Sequence, residues 1–152
     1  MKLVGLFLLG MFGLASDCVA CSCVPTTVEL RLQRSTEVFV GTVLSVKRQQ
    51  RSVKLSVGTV TVEDVRARIR VEQSWKGTHR DTVEVGTVSS TCGVVFQEGK
   101  RLLVFAHTVY GAYGELKSRL GTTICSGSRV VRWTADTTDS LGTPLWERRG
   151  GP

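Results

Sequence analysis

A chain of 152 residues with a formal net charge of +7 has room for one domain, or for a domain with a leader and a tail. It contains no asparagine, which excludes N-glycosylation, and its two histidines, His79 and His107, do not pair at metal-ligand spacing. The basic balance favours anionic partners such as acidic proteins, polyanionic glycans, lipid head groups or nucleic acid, although the arginines are spread along the chain.

The first segment reads as a signal peptide, residues 1–20. Lys2 supplies the positive start, Leu3 to Leu14 form an apolar run, and Cys18-Val19-Ala20 offers a small-x-small cleavage site after Ala20. The run is too short to span a bilayer comfortably. Two rival readings are an uncleaved anchor and lipoprotein processing, in which Cys21 would be diacylated. Export would place the mature domain in a secreted, extracellular or periplasmic setting, or on a lipid-anchored outer surface. Of the five cysteines, Cys18 leaves with the leader and Cys21, Cys23, Cys92 and Cys125 remain. An even number in an exported domain predicts two disulfides, with three possible connectivities. Closing long loops, each bond would contribute roughly 4 kcal/mol.

Thr26 to Ser35 reads as one short helix, with Thr26 or Thr27 as cap and Glu29 in the first turn. The period then changes to two. Val38 to Val46 carries apolar residues on both faces, and Val65 to Val71 alternates with Arg66, Arg68 and Arg70. Between them, Arg48 to Leu55 reads as a polar, basic loop. Val60 and Val62 share a parity that the next run does not, which predicts a bulge or turn near Glu63-Asp64. Further strands are expected over Thr82–Val88, Leu102–His107 and Glu115–Leu120. Turns fall at Lys76-Gly77, Glu98-Gly99 and Gly111 to Gly114. Short strands at this spacing predict an all-β domain with minor helices, closed or nearly closed into a barrel. Past it, Arg129 to Leu141 reads as a helix packed on the barrel, and Gly142 to Pro152 as a frayed basic tail.

No nucleophile elbow, phosphate loop or metal-ligand set is present, so an enzyme is not expected, nor a cofactor of the protein's own. The unusual feature is Cys21-Ser22-Cys23 at the new N-terminus. Two cysteines two apart do not easily bond each other, so each is expected to be tied to a distant strand, clamping the terminus to the barrel. A terminal α-amine, with a pKa of about 7.7–8.0, is substantially neutral near physiological pH. With the carbonyl oxygen of the same residue it forms a five-membered chelate suited to the open position on a catalytic zinc. The plainer reading is a structural staple for a loose end.

Cys21-Ser22-Cys23-Val24-Pro25 resembles the opening of the tissue inhibitors of metalloproteinases, which begin Cys-x-Cys-x-Pro directly after their signal peptides. The likeness continues through Val38-Phe39-Val40-Gly41, Trp75-Lys76-Gly77, Ser90-Thr91-Cys92-Gly93 and Thr122-Thr123-Ile124-Cys125-Ser126. It covers residues 21–130, leaving 131–152 as a C-terminal helix or tail, and is similar to the single-domain bacterial members of the group. The resemblance implies a five-stranded OB-type barrel of the netrin-like class, with disulfides Cys21–Cys92 and Cys23–Cys125. It implies that the Cys21 amine and carbonyl ligate the zinc of a partner metalloproteinase and that Ser22 enters the primary specificity pocket. Val24, Pro25, Ser89, Ser90 and Thr91 would continue the contact. The cysteines of the family's third N-terminal-domain bond are missing here. The resulting expectation is a secreted, monomeric metalloproteinase inhibitor. The alternative is a netrin-like binding module that recognises an anionic surface or glycan through its arginines. Nucleic-acid binding is not expected, because the aromatics do not alternate with basic residues as a stacking platform requires.

Overall fold

The computed structural model describes residues 21–77, 80–89, 91–109, 119–131 and 138–148. The signal-peptide, His79, Ser90, Gly111–Gly114 and Trp133 readings lie outside these residues. Helix α1 spans Val28–Arg34. Thr27 caps it by accepting a hydrogen bond from Leu30 N–H, and Glu29 and Arg34 sit at the ends where the helix dipole favours them.

Among the described residues seven strands follow: β1 Glu37–Leu55, β2 Gly58–Lys76, β3 Thr82–Val88, β4 Arg101–Val109, β5 Arg119–Thr122, β6 Arg129–Val130 and β7 Trp146–Glu147. The first five pair in the order β1-β2-β3-β5-β4, and β4 pairs back on β1, so they form a closed ring. Every pairing in the ring is antiparallel except β3 with β5, where Gly86 faces Gly121 and Thr87 faces Thr122 in parallel register. Two disulfides, Cys21–Cys92 and Cys23–Cys125, tie the segment before α1 to the two sides of that parallel junction.

The double-sided apolar strand read from Val38 to Val46 follows from two cores. Phe39 and Val43 join Val65, Ile69, Val85 and Val104 in a cluster that fills the ring. Val38 and Val40 point the other way, with Leu103, Phe105 and Trp75, into a second cluster that Leu32 of α1 and Leu141 help to cover. Gly41 is required where β1 crosses β2, because a Cβ there would lie 2.4 Å from Arg70 O.

Several expectations are corrected. Arg48 to Leu55 is not a loop but the continuation of β1, paired residue by residue from Arg48↔Val65 to Leu55↔Gly58. No bulge occurs at Glu63-Asp64, where the register runs unbroken; the irregularities lie nearer the start of β1, with the extra residue on β1 at Leu44 and on β2 at Glu72 and Trp75. The parity conflict is resolved by exposure. Beyond the ring the β1–β2 hairpin continues as a two-stranded arm, and Val60 and Val62 stay exposed instead of joining the core of Val65, Ala67 and Ile69. Of the strand expected over Glu115–Leu120, residues 115–118 lie outside the described residues; β5 runs two residues past the expected end, to Thr122. The helix expected over Arg129–Leu141 is, in its described parts, the two-residue strand β6 paired with β4 and a 3-10 turn at Asp139–Leu141. The tail is anchored as far as residue 148: β7 pairs with β2, Arg148 N–H donates to Glu72 O, and the Arg148 guanidinium donates to Val71 O.

Candidate functional site

Residues 21–27 have no regular secondary structure, and Ser22, Cys23, Val24 and Pro25 are exposed. Such a strip would fray unless anchored. Its anchors are covalent at positions 21 and 23, with Cα–Cα separations of 5.2 and 5.1 Å to Cys92 and Cys125. The pairing implied by the family resemblance is thus the one present. The two disulfides touch: Cys21 Sγ lies 3.5 Å from Cys125 Sγ. With both sulfurs oxidised neither carries a proton, so this is a packing contact rather than a hydrogen bond. The Sγ atoms of Cys21, Cys23 and Cys125 lie within 4.8 Å of one another. Because each is consumed in an S–S bond, the group supplies no thiolate for a metal.

The surroundings of the clamp are themselves tied down. Ile124 N–H donates to Cys92 O, linking the two cysteine-bearing loops directly. Thr87 Oγ1 donates to Thr122 O and accepts from Val94 N–H, bracing the 89–95 loop against β5. Ser89 Oγ donates to Glu63 Oε2 at 2.6 Å, so this loop also leans on the hairpin arm. On the other side Arg31 Nε donates to Thr26 Oγ1, and the Arg31 guanidinium packs over Gly127, whose φ of 98° no other residue adopts readily. Of the predicted contact residues, Ser22, Val24, Pro25, Ser89 and Thr91 are exposed. The disulfide Cys21–Cys92 brings the first strip beside the loop that carries the last two. Ser90 lies outside the described residues.

The short Trp75-Lys76-Gly77 motif acts through α1 and the second core. Trp75 is buried and its Nε1–H donates to Gly142 O. Lys76 Nζ donates to Leu32 O and Gln33 O, both at 2.9 Å, capping the last carbonyls of α1. Gly77 turns with φ of 85° against Thr36 and Glu37. His107 belongs to the same support: its Nδ1 lies 3.0 Å from Arg34 O, which fixes the Nδ1–H tautomer.

Sequence reasoning missed Glu63 as a partner of the 89–95 loop, since a carboxylate on an exposed hairpin carries no local signal. It also missed Glu37. That side chain is buried, its Oε1 meets Arg80 at 3.3 Å, and its Oε2 has no hydrogen-bond partner among the described residues. Burial pushes its carboxyl above the usual carboxylate range, and Arg80 only partly opposes the shift.

Fold and site together define a β-ring domain in which the strip before α1 is held by two disulfides at the parallel junction of the sheet. No protein-family model matches the chain, and no curated protein sequence matches it. Among the described residues no helix is long and apolar enough to cross a membrane.

Proposed function

We propose that the mature chain, beginning at Cys21 after removal of residues 1–20, is a secreted inhibitor of zinc metalloproteinases built on a netrin-like OB barrel. The observation that carries this reading is the double clamp. Cys21 and Cys23 are bonded to loops on either side of one strand junction, and Ser22, Val24 and Pro25 are left exposed between and beyond them.

In this reading the Cys21 α-amine and carbonyl oxygen occupy the open position of the protease zinc, displacing its water. Ser22 enters the pocket that accepts the substrate side chain. Val24 and Pro25 follow the cleft, joined by Ser89, Ser90 and Thr91. Affinity arises from rigidity, because a strip fixed in advance loses little conformational freedom on docking. The chain performs no catalysis and holds no cofactor; the only metal involved belongs to the partner.

Export of the full precursor, followed by N-terminal sequencing and intact mass, tests the premise. The reading expects Cys21 as first residue, an unmodified amine and a mass lower by four hydrogens. Nanomolar inhibition of at least one zinc endopeptidase by this species is the functional result. A diacylglyceryl mass on Cys21, or a start at any other residue, overturns it.

A further inference from the structure

A cavity of about 270 Å³ opens between α1, the strip before it, strand β4 and the 3-10 turn Ile124–Ser126. Its described lining is polar. Arg31 and Arg34 contribute guanidinium groups, Thr26, Thr123 and Ser126 hydroxyls, and His107 an imidazole, while Cys125 of the second disulfide completes the set. No carboxylate is found among the described lining residues. The inhibitor reading makes no use of this cavity.

The two arginines are three apart on α1 and so share a face. Arg31 is held from both sides. Its Nε–H donates to Thr26 Oγ1 at 2.9 Å, and its guanidinium crosses Gly127, where a Cβ would lie 2.8 Å from Nη1. Thr26 accepts that bond, so its own proton is left for an acceptor in the cavity. Among the described residues neither Nη of Arg31 nor any guanidinium nitrogen of Arg34 donates a hydrogen bond, and neither side chain forms an ion pair. An arginine in the last turn of a helix ordinarily turns back to the final carbonyls. Those carbonyls already have donors: Ser35 on Arg31 O, Lys76 on Leu32 O and Gln33 O, and His107 Nδ1–H on Arg34 O. Nothing local therefore occupies the exposed Arg34 guanidinium. The remaining polar groups are spoken for, since Ser126 Oγ donates to Thr123 O and the neutral His107 ring offers Nε2 only as an acceptor.

We propose that this cavity binds a tetrahedral oxyanion with two negative charges, sulfate or phosphate, between Arg31 and Arg34, with the Thr26 hydroxyl as a third donor. Two guanidinium groups match the two charges, and their planar forks suit the paired oxygens of such an ion through charge-assisted hydrogen bonds. Arg31, fixed in advance by Thr26 and Gly127, loses little freedom on binding. Every donor invoked is a side chain. The volume holds one such ion with a few waters of about 30 Å³ each.

Amide and guanidinium NMR spectra of the full, disulfide-bonded chain near neutral pH test this, with sodium sulfate titrated against sodium chloride at constant ionic strength. Saturable shifts with one-to-one stoichiometry are expected at the Nε–H signals of Arg31 and Arg34 and at the backbone of Thr26, Thr123 and Ser126. Saturation and location separate binding from the general stabilisation that sulfate gives by exclusion from protein surfaces. Arg34→Gln should weaken binding by at least about tenfold and leave the thermal midpoint in chloride unchanged. Phenyl phosphate distinguishes the sources: weaker or equal binding assigns the cavity to the free ion, tighter binding to the phosphate of a monoester, and either upholds the site. Undiminished affinity in Arg34→Gln, shifts without saturation, equal shifts with chloride alone, or binding of a sulfated polysaccharide but not of inorganic sulfate overturns the proposal. The inhibitor assay reads residues 21–25 and not this cavity, so either reading can fail while the other stands.

Discussion

At the scale of single residues the molecule is held by side chains that act on backbone. Lys76 caps α1, Thr87 braces the 89–95 loop, and Arg31 fills the space over Gly127. Glu37 is the exception, a buried carboxyl with one oxygen unpartnered among the described residues, whose ionisation burial opposes. Its folded pKa exceeds the unfolded value, so the native state binds the proton more tightly. The contribution of Glu37 to stability is therefore fully present below the unfolded pKa and is lost as pH rises through the folded one. Glu37→Gln cannot ionise and should escape that loss. Thermal midpoints of the variant and parent between pH 4 and pH 7 check this: the difference should move in favour of the variant as pH rises. Little of it was legible beforehand, because Glu37 opens an apolar strand and nothing local marks it as buried. Gly41 was not legible in this respect either: the close approach of β1 to Arg70 O of β2, which leaves no room for a Cβ, is a contact with a residue far along the chain.

At the scale of elements, legibility followed how local the causes are. Helix α1 was readable from its Thr cap and Glu29, both within one segment. Strand β3 was readable because Val83 and Val85 alternate with polar residues and face the core. The hairpin arm was misread as a loop, since beyond the ring both of its faces meet water and no alternation is enforced. Strands β6 and β7 were not readable at all. Each is two residues long and exists only because β4 and β2 offer free edges. The helix also depends on a distant contact, which yields a prediction. Lys76→Met keeps the apolar stem but removes both hydrogen bonds to the carbonyls of Leu32 and Gln33, at a cost of roughly 1 kcal/mol. Hydrogen exchange should show faster opening of α1 with the ring strands unchanged. Equal acceleration throughout would mean that Lys76 supports the whole domain rather than its helix.

At the scale of the whole molecule, the ring closes through contacts remote in sequence. The β3–β5 junction joins residues 86 and 121 in parallel, and the disulfides span 71 and 102 residues. A two-residue period foretold strands and turns, but not which strands would be neighbours. The clamp was legible in outline because its signal, Cys21 and Cys23 too close together to bond each other easily, is short and chemical. Its bracing by Glu63, Thr87 and Ile124 was not. Clamp and stability can be separated in the double variant Cys23→Ser, Cys125→Ser, which keeps Cys21 and its bond to Cys92. Denaturant unfolding should show a loss of about 4 kcal/mol. Inhibition should weaken even where the variant remains folded, since the strip from Ser22 to Pro25 then has one anchor instead of two.

The central claim concerns the amine and carbonyl of Cys21, and a single added residue tests it most directly. The mature protein and a version carrying one alanine before Cys21 should share fold, disulfides and thermal midpoint. The extension converts the ligating amine to an amide, so inhibition of a zinc endopeptidase that the mature protein blocks should disappear. Equal inhibition by both forms would contradict the account.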